Sequence, residues 1–236
     1  MVQDRAPEKP LAIPTKPQGA PALGRIRAGA MFPAMLEVYG YLRDPFAWRV
    51  RFAAEEKGVP YQWIPSDVAF PDPRSARNNP RGRSPIAVHD GFVLTDAFNI
   101  QLYVDEAFPG RALQPESPRG RAEVRMFVAS LEPLAAVLSA AIGPSAFNRR
   151  GYRRMDDVFA SVNEALESGG DRPWLDGDRP GLRDTSFLPL LSELETMETS
   201  FPLNLEALAA YWQRAMAYPP FQKTNYRTAE IQGRRS

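Results

Sequence analysis

The sequence predicts a small α/β domain followed by an all-helical domain, and three observations carry that reading. Residues 36–107 alternate strand-like and helix-like runs in the order β-α-β, loop, β-hairpin, α. A proline-rich linker from Pro109 to Pro118 then interrupts every regular pattern. Beyond it, apolar side chains recur only at helical spacing, as in Val124, Phe127, Leu131, Leu134, Leu138 and Ile142. The expected division is an arm over 1–33, an α/β domain over 34–112 and a helical domain with a tail over 113–236.

In the arm, Pro7, Pro10, Pro14, Pro17, Pro21 and Pro33 remove backbone donors and fix φ, and large apolar residues are sparse. Such a segment cannot bury enough surface to order itself, so disorder is expected. From Leu36 to Leu42 the residues alternate as in a strand, with Leu36, Val38 and Gly40 on one face. Asp44 then suits a helix N-cap, Pro45 the first helical position and Gly58 the terminator. The helix between them should turn Phe46, Val50, Ala53 and Ala54 inward and direct Arg49, Glu56 and Lys57 elsewhere. Tyr61 to Ile64 reads as a second strand, and a long polar loop follows. Residues 84–88 and 92–94 form a hairpin about Asp90-Gly91, and a helix runs over 96–107. In the second domain, helices are expected over 119–142, 152–168, 184–199 and 204–217, with a tail from Pro219.

Composition removes several functions. The 236 residues include no cysteine and one histidine, His89. That excludes a disulfide framework, a Cys-ligated metal, a cysteine nucleophile and a two-histidine metal site, so no metal is expected. Lys and Arg together number 29 against 28 Asp and Glu, a net +1 that calls for neither nucleic acid nor a membrane surface. No apolar run approaches the ~20 residues of a membrane span, and there is no charged-then-apolar leader. A soluble, cytoplasmic protein is expected. Only Lys9, Lys16, Lys57 and Lys223 are lysines, the other 25 cations being arginines spread along the chain, a matter of composition rather than a patch.

The pieces in sequence resemble the cytosolic glutathione transferases. They are Tyr39 followed by Asp44-Pro45-Phe46-Ala47-Trp48-Arg49-Val50-Arg51, then Glu56-Lys57-Gly58-Val59-Pro60-Tyr61 and Asn79-Pro80-Arg81-Gly82-Arg83-Ser84-Pro85. Asp90-Gly91, Leu94-Thr95-Asp96-Ala97, Ile100 and the run from Tyr103 to Pro109 continue the match. Arg172-Pro173-Trp174-Leu175-Asp176-Gly177-Asp178 and Arg183-Asp184 resemble the loop and capping aspartate before the family's sixth helix. Order and spacing agree over 36–218. The resemblance implies a thioredoxin-like N-terminal domain followed by a helical C-terminal domain, the glutathione transferase fold. It also implies glutathione as cosubstrate, a small hydrophobic electrophile as its partner and a homodimer.

The resemblance carries site residues over one by one, and departs from the family pattern at two of them. A free thiol has a pKa of ~8.5, so a donor that stabilises the thiolate raises the reactive fraction at neutral pH. The family's Ser or Cys for that task, immediately before the Pro-Phe pair, is replaced here by Asp44. A carboxylate only accepts hydrogen bonds, and its charge would raise the thiol pKa. Tyr39, at the end of the first strand, and Arg43, in the turn, are the candidate replacements, with Asp44 retained either as a helix cap or as a general base. At the start of the third helix the family's acidic residue and Ser become Asp96 and Ala97. Asp96 can pair with the glutathione amino group and the Ala97 N–H still favours an anion, while the lost hydroxyl is worth about 1–2 kcal/mol of binding. Ser84-Pro85 matches the family's cis-proline, and Arg83 stands where relatives face the glycyl carboxylate. Met126, Phe127, Ser130, Tyr211, Trp212 and Phe221 fall near the expected acceptor pocket, although apolar residues at this spacing are more often core. His89, in a turn, has no assigned role.

Three functions follow. The first is conjugation or reductive transformation of a hydrophobic electrophile with glutathione. The second is a non-catalytic binding or interaction protein that has lost thiol activation. The third is a glutathione-independent enzyme using Asp44 as base.

Overall fold

The computed structural model describes residues 35–66, 84–131, 134, 135, 138, 149–196 and 204–226. The proline-rich arm, the polar loop and Arg83 lie outside the described residues. Contacts within the chain gather 34–236 into one unit.

Four strands form one mixed sheet: β1 (Leu36–Tyr41), β2 (Tyr61–Ser66), β3 (Ile86–His89) and β4 (Phe92–Thr95), in the order β2-β1-β3-β4. Strands β1 and β2 are parallel, joined through helix α1 (Pro45–Lys57). Strands β3 and β4 are antiparallel across Asp90-Gly91, whose φ values of 52° and 76° are those the tight hairpin needs. Helix α2 (Ala97–Ala107) follows β4. The remaining helices are α3 (Pro118–Ser130), α4 (Arg149–Ser168), α5 (Leu182–Thr196), α6 (Glu206–Met216) and α7 (Pro219–Thr224). A thioredoxin-like domain followed by a helical domain is therefore the observed architecture. Among the described residues, no helix is long and apolar enough to cross a membrane.

Helix α1 is the hinge of the packing, and its ends are written in the sequence. Asp44 Oδ1 accepts the Phe46 N–H at 2.8 Å, and Pro45 occupies the first turn, where its missing donor costs nothing. At the other end Gly58 adopts φ 77°; its N–H reaches Glu55 O at 3.1 Å and the Val59 N–H reaches Ala54 O at 2.9 Å. This paired closure satisfies the last carbonyls and requires the left-handed residue that glycine tolerates. Val50 and Ala54 face the sheet with Leu36, Val38, Ile100 and Val104. Trp48 and Phe52 enter the helical core with Phe187, Leu191, Tyr211 and Phe221.

Buried apolar residues on both sides leave α1 no free polar face. Arg49, Glu56 and Lys57, expected to point away from the apolar face, are all buried as well. Glu56 accepts from Arg111 Nη2 at 2.7 Å and from Tyr218 Oη at 2.6 Å, with Arg179 Nη2 at 2.9 Å. Lys57 Nζ donates to Asp105 Oδ1 at 2.9 Å and to the Asp105 carbonyl at 2.7 Å. Asp105 in turn caps the linker through the Leu113 N–H at 2.7 Å.

Two expectations about helices are corrected. The single helix over 119–142 ends at Ser130, with Leu131 as its cap; Leu134, Ala135 and Leu138 are again helical, and Leu134 and Leu138 are buried in the core. Pro133 is the sequence reason, because proline lacks the donor that would continue the ladder and disfavours the helical conformation before it. The tail from Pro219 begins instead with α7, which packs on α1. Phe221 stacks on Trp48 at 4.8 Å and Trp48 Nε1 donates to Thr224 Oγ1 at 2.8 Å. Phe221 and Tyr211 are fully buried and Trp212 nearly so, which makes them core rather than pocket.

Asp184 in α5 behaves as the capping aspartate the motif suggests. Its carboxylate accepts the N–H groups of Leu175 (2.9 Å), Asp176 (3.1 Å) and Gly181 (2.9 Å), and the Tyr211 hydroxyl (2.8 Å). Burial, and then the charge of Asp176, push its pKa up to about 7.

Candidate functional site

A cavity of about 530 Å³ opens where the start of α1, the start of β3 and the start of α2 meet α3. Phe46, Phe98, Val128, Leu131 and Ala135 give it an apolar wall; Arg49, Ser84, Asp96 and Arg125 supply its polar side chains.

Each expected residue can be placed. The Ser84–Pro85 bond is cis, and Ser84 lines the cavity. Gly40 lets β1 approach this point, since a Cβ there would lie 2.6 Å from Ala47 Cβ and 3.0 Å from Ser84 Oγ. Ala97, buried in the first turn of α2, and Asp96 form the cavity's next edge. Asp96 caps α2 by accepting the Asn99 N–H at 2.9 Å, and does so at φ 74° and ψ 123°. That conformation costs a non-glycine residue roughly 1–3 kcal/mol and is found where surroundings dictate it.

The three residues expected to act on the thiol are dispersed. Tyr39 packs with Ile64 and Ile86 and donates its hydroxyl to Glu37, in a cluster separate from the one holding Leu36 and Val38 against α1. It alternates with those residues along β1 and is not among the cavity's lining. Arg43 is exposed, its guanidinium 5.7 Å from the centre of the Tyr226 ring. Asp44 is only 7 % exposed and stands behind Ser84 rather than on the cavity wall. Its Oδ1 holds the Phe46 N–H and its Oδ2 accepts the Ser84 hydroxyl at 2.5 Å. Burial raises its pKa, with the Ser84 hydrogen bond working in the opposite direction.

Sequence reasoning missed Arg49 and Arg125. Arg49 is 5 % exposed, lines the cavity, and has no hydrogen-bond partner at Nε or Nη2. Burial lowers its pKa to about 10, with Asp96 and Asp44 opposing that shift, so it remains a cation at neutral pH. The signal was present: with Ala47, Trp48, Val50, Phe52, Ala53 and Ala54 distributed around the helix, no solvated side remained for an arginine at 49. Arg125 gave no such signal, being an exposed helix residue that faces the cavity only through the packing of α3.

The comparisons with known proteins fit this geometry. Residues 38–112, which hold β1 to α2 and the cavity residues of the first domain, match the glutathione S-transferase N-terminal domain. The first domain of this chain is therefore a glutathione S-transferase N-terminal domain. A probable glutathione S-transferase of Solanum tuberosum is 31% identical over 106 residues, which span 44% of this chain and about half (49%) of that protein. The maleylacetoacetate isomerase of Pseudomonas aeruginosa is 29% identical over 214 residues, covering 80% of this chain and 95% of the relative. Among solved structures, a glutathione S-transferase from Methylobacillus flagellatus KT, with glutathione bound, superposes with a TM-score of 0.69. That structure is 22% identical and covers 80% of this chain and 98% of its own, so what it establishes is the fold.

Proposed function

We propose that this protein conjugates glutathione to a small hydrophobic electrophile, or transforms such a compound reductively, in the cavity between α1 and α3. The observation that carries the reading is the composition of that cavity. One wall is apolar and suits the electrophile, while Ser84 and the N-terminus of α2 with Asp96 offer polar anchors to a zwitterionic tripeptide, and Arg49 sets a positive charge beside them. The glutathione backbone would lie against the start of β3, adding to it as a strand adds to a sheet edge. Its γ-glutamyl carboxylate would face the first N–H groups of α2, and its amino group Asp96. In conjugation with an aryl halide, the thiol loses its proton to solvent, the sulfur forms the new bond to carbon, and the halide leaves with the bonding electrons. Homodimerisation belongs to the same reading and is checked by sedimentation.

The placement of Asp44 supports a second reading, a glutathione-binding protein without turnover. Both carboxylate oxygens are engaged by Phe46 and Ser84, and no hydroxyl or thiol stands at that position. A base role for Asp44 on another substrate finds no support in its surroundings.

Calorimetric titration with glutathione, followed by an aryl-halide assay across pH, tests the proposal. Binding with turnover is expected, and Asp44→Ser should raise the turnover by adding a donor. Binding without turnover would favour the second reading. Absence of binding at millimolar glutathione would remove both.

A further inference from the structure

Arg49 is the buried charge in α1 that the protein meets with no hydrogen-bonded counter-charge; its guanidinium lies 5.9 Å from the centre of the Phe46 ring, and Asp96 and Asp44 act on it through space. Its Nε and Nη2 have no hydrogen-bond partner, and among the described residues it forms no ion pair. A buried cation without a hydrogen-bonded counter-charge is costly to keep, and such a group persists where something outside the fold completes it. Helix side chains tilt toward the helix N-terminus, so Arg49 on the second turn of α1 leans toward the end where Asp44 and Ser84 sit. The charged groups around it are Asp44 before α1, Asp96 at the cap of α2 and Arg125 from α3. Asp44 is turned to its own donors at Phe46 and Ser84, and Asp96 to the Asn99 N–H. Two guanidinium groups therefore face the cavity, and neither carboxylate is turned to either of them.

We propose that Arg49 is a catalytic residue that stabilises the glutathione thiolate, filling the role that Asp44 cannot. This rests on the glutathione-dependent reading above. The guanidinium is charged at neutral pH and carries several donors, so it attracts the thiolate and not the thiol. That differential attraction lowers the thiol pKa and raises the nucleophilic fraction at neutral pH. Ionisation sends the thiol proton to solvent, and the cation holds the remaining charge until the sulfur bonds to carbon. Arg125, across the cavity, adds to the positive field without being the group nearest the α1 N-terminus.

The test follows the ultraviolet absorbance of the bound thiolate against pH in the parent protein, Arg49→Met, Arg49→Gln and Arg49→Lys, with calorimetric affinities for glutathione and S-methylglutathione. In the parent the midpoint should fall below the free value of ~8.5. Arg49→Met and Arg49→Gln should raise it by about one unit, a tenfold loss of thiolate at neutral pH, and Arg49→Lys should lie between. Affinity for S-methylglutathione, which has no thiolate, should be unchanged throughout. An unshifted midpoint in both neutral variants would overturn the assignment while leaving the glutathione-dependent reading intact. Equal loss of affinity for both peptides would overturn it in favour of a carboxylate held by Arg49. Failure of the parent to bind glutathione at all would overturn the functional reading and this inference together.

Discussion

The two ends of helix α1 bury charge in opposite ways. At the C-terminal end, Glu56 is met by Arg111, Arg179 and Tyr218, and Lys57 by Asp105, so that each charge is compensated by more than one group. Toward the N-terminal end, Arg49 is as buried as they are and two of its nitrogens have no hydrogen-bond partner. The first pattern ties α1 to the linker and to the last helices. The second lies on the wall of a cavity of about 530 Å³. A charge that serves the fold arrives with its partners; one that serves a ligand waits for them.

Removing partners at the C-terminal end should therefore have the largest effect. Glu56→Ala would remove the buried carboxylate shared by Arg111, Arg179 and the Tyr218 hydroxyl, and chemical denaturation should show a loss of about 3–5 kcal/mol. Asp184→Asn should come next, at about 3 kcal/mol, because an amide offers one acceptor oxygen to the four donors the carboxylate now serves. It also has a pH signature. Asp184 titrates near about 7 when folded, against ~3.9 unfolded. Between those values the folded state holds the extra proton, so this contribution is complete at the acid end and is lost as pH rises from about 4 to about 7. Unfolding free energies measured across that interval should decline in the parent and flatten in the variant. Asp44→Ala removes one cap and the Ser84 contact, and should cost about 1–2 kcal/mol in the same measurement.

Much of the fold was legible before any coordinates. Asp44-Pro45 and Gly58 bracket α1 because capping is local chemistry, and Asp90-Gly91 closes its hairpin for the same reason. Local reading failed where tertiary packing decides. The stripe through Leu138 concealed the break that Pro133 explains, and nothing local marked α7, six residues held in place by the stacking of Phe221 on Trp48. Around the cavity, the residues tied to backbone geometry stand where local chemistry puts them: the Ser84–Pro85 bond is cis, and Asp96 and Ala97 open α2. Candidates chosen by side-chain chemistry fared differently, because strand alternation turns Tyr39 away from the α1 side of the sheet and Arg43 lies at the surface against Tyr226. Arg49 was read only as lying off the apolar face of α1, and the packing of the helix on both sides reveals it as buried.

Unfolding of Arg49→Met in the absence of any ligand bears most directly on the difference between the two ends of α1. Replacing an unpaired buried cation with an apolar side chain should leave the free energy of unfolding unchanged or raise it. A loss of about 3 kcal/mol or more, comparable with that of Glu56→Ala, would contradict the account and place Arg49 among the charges that hold the fold together.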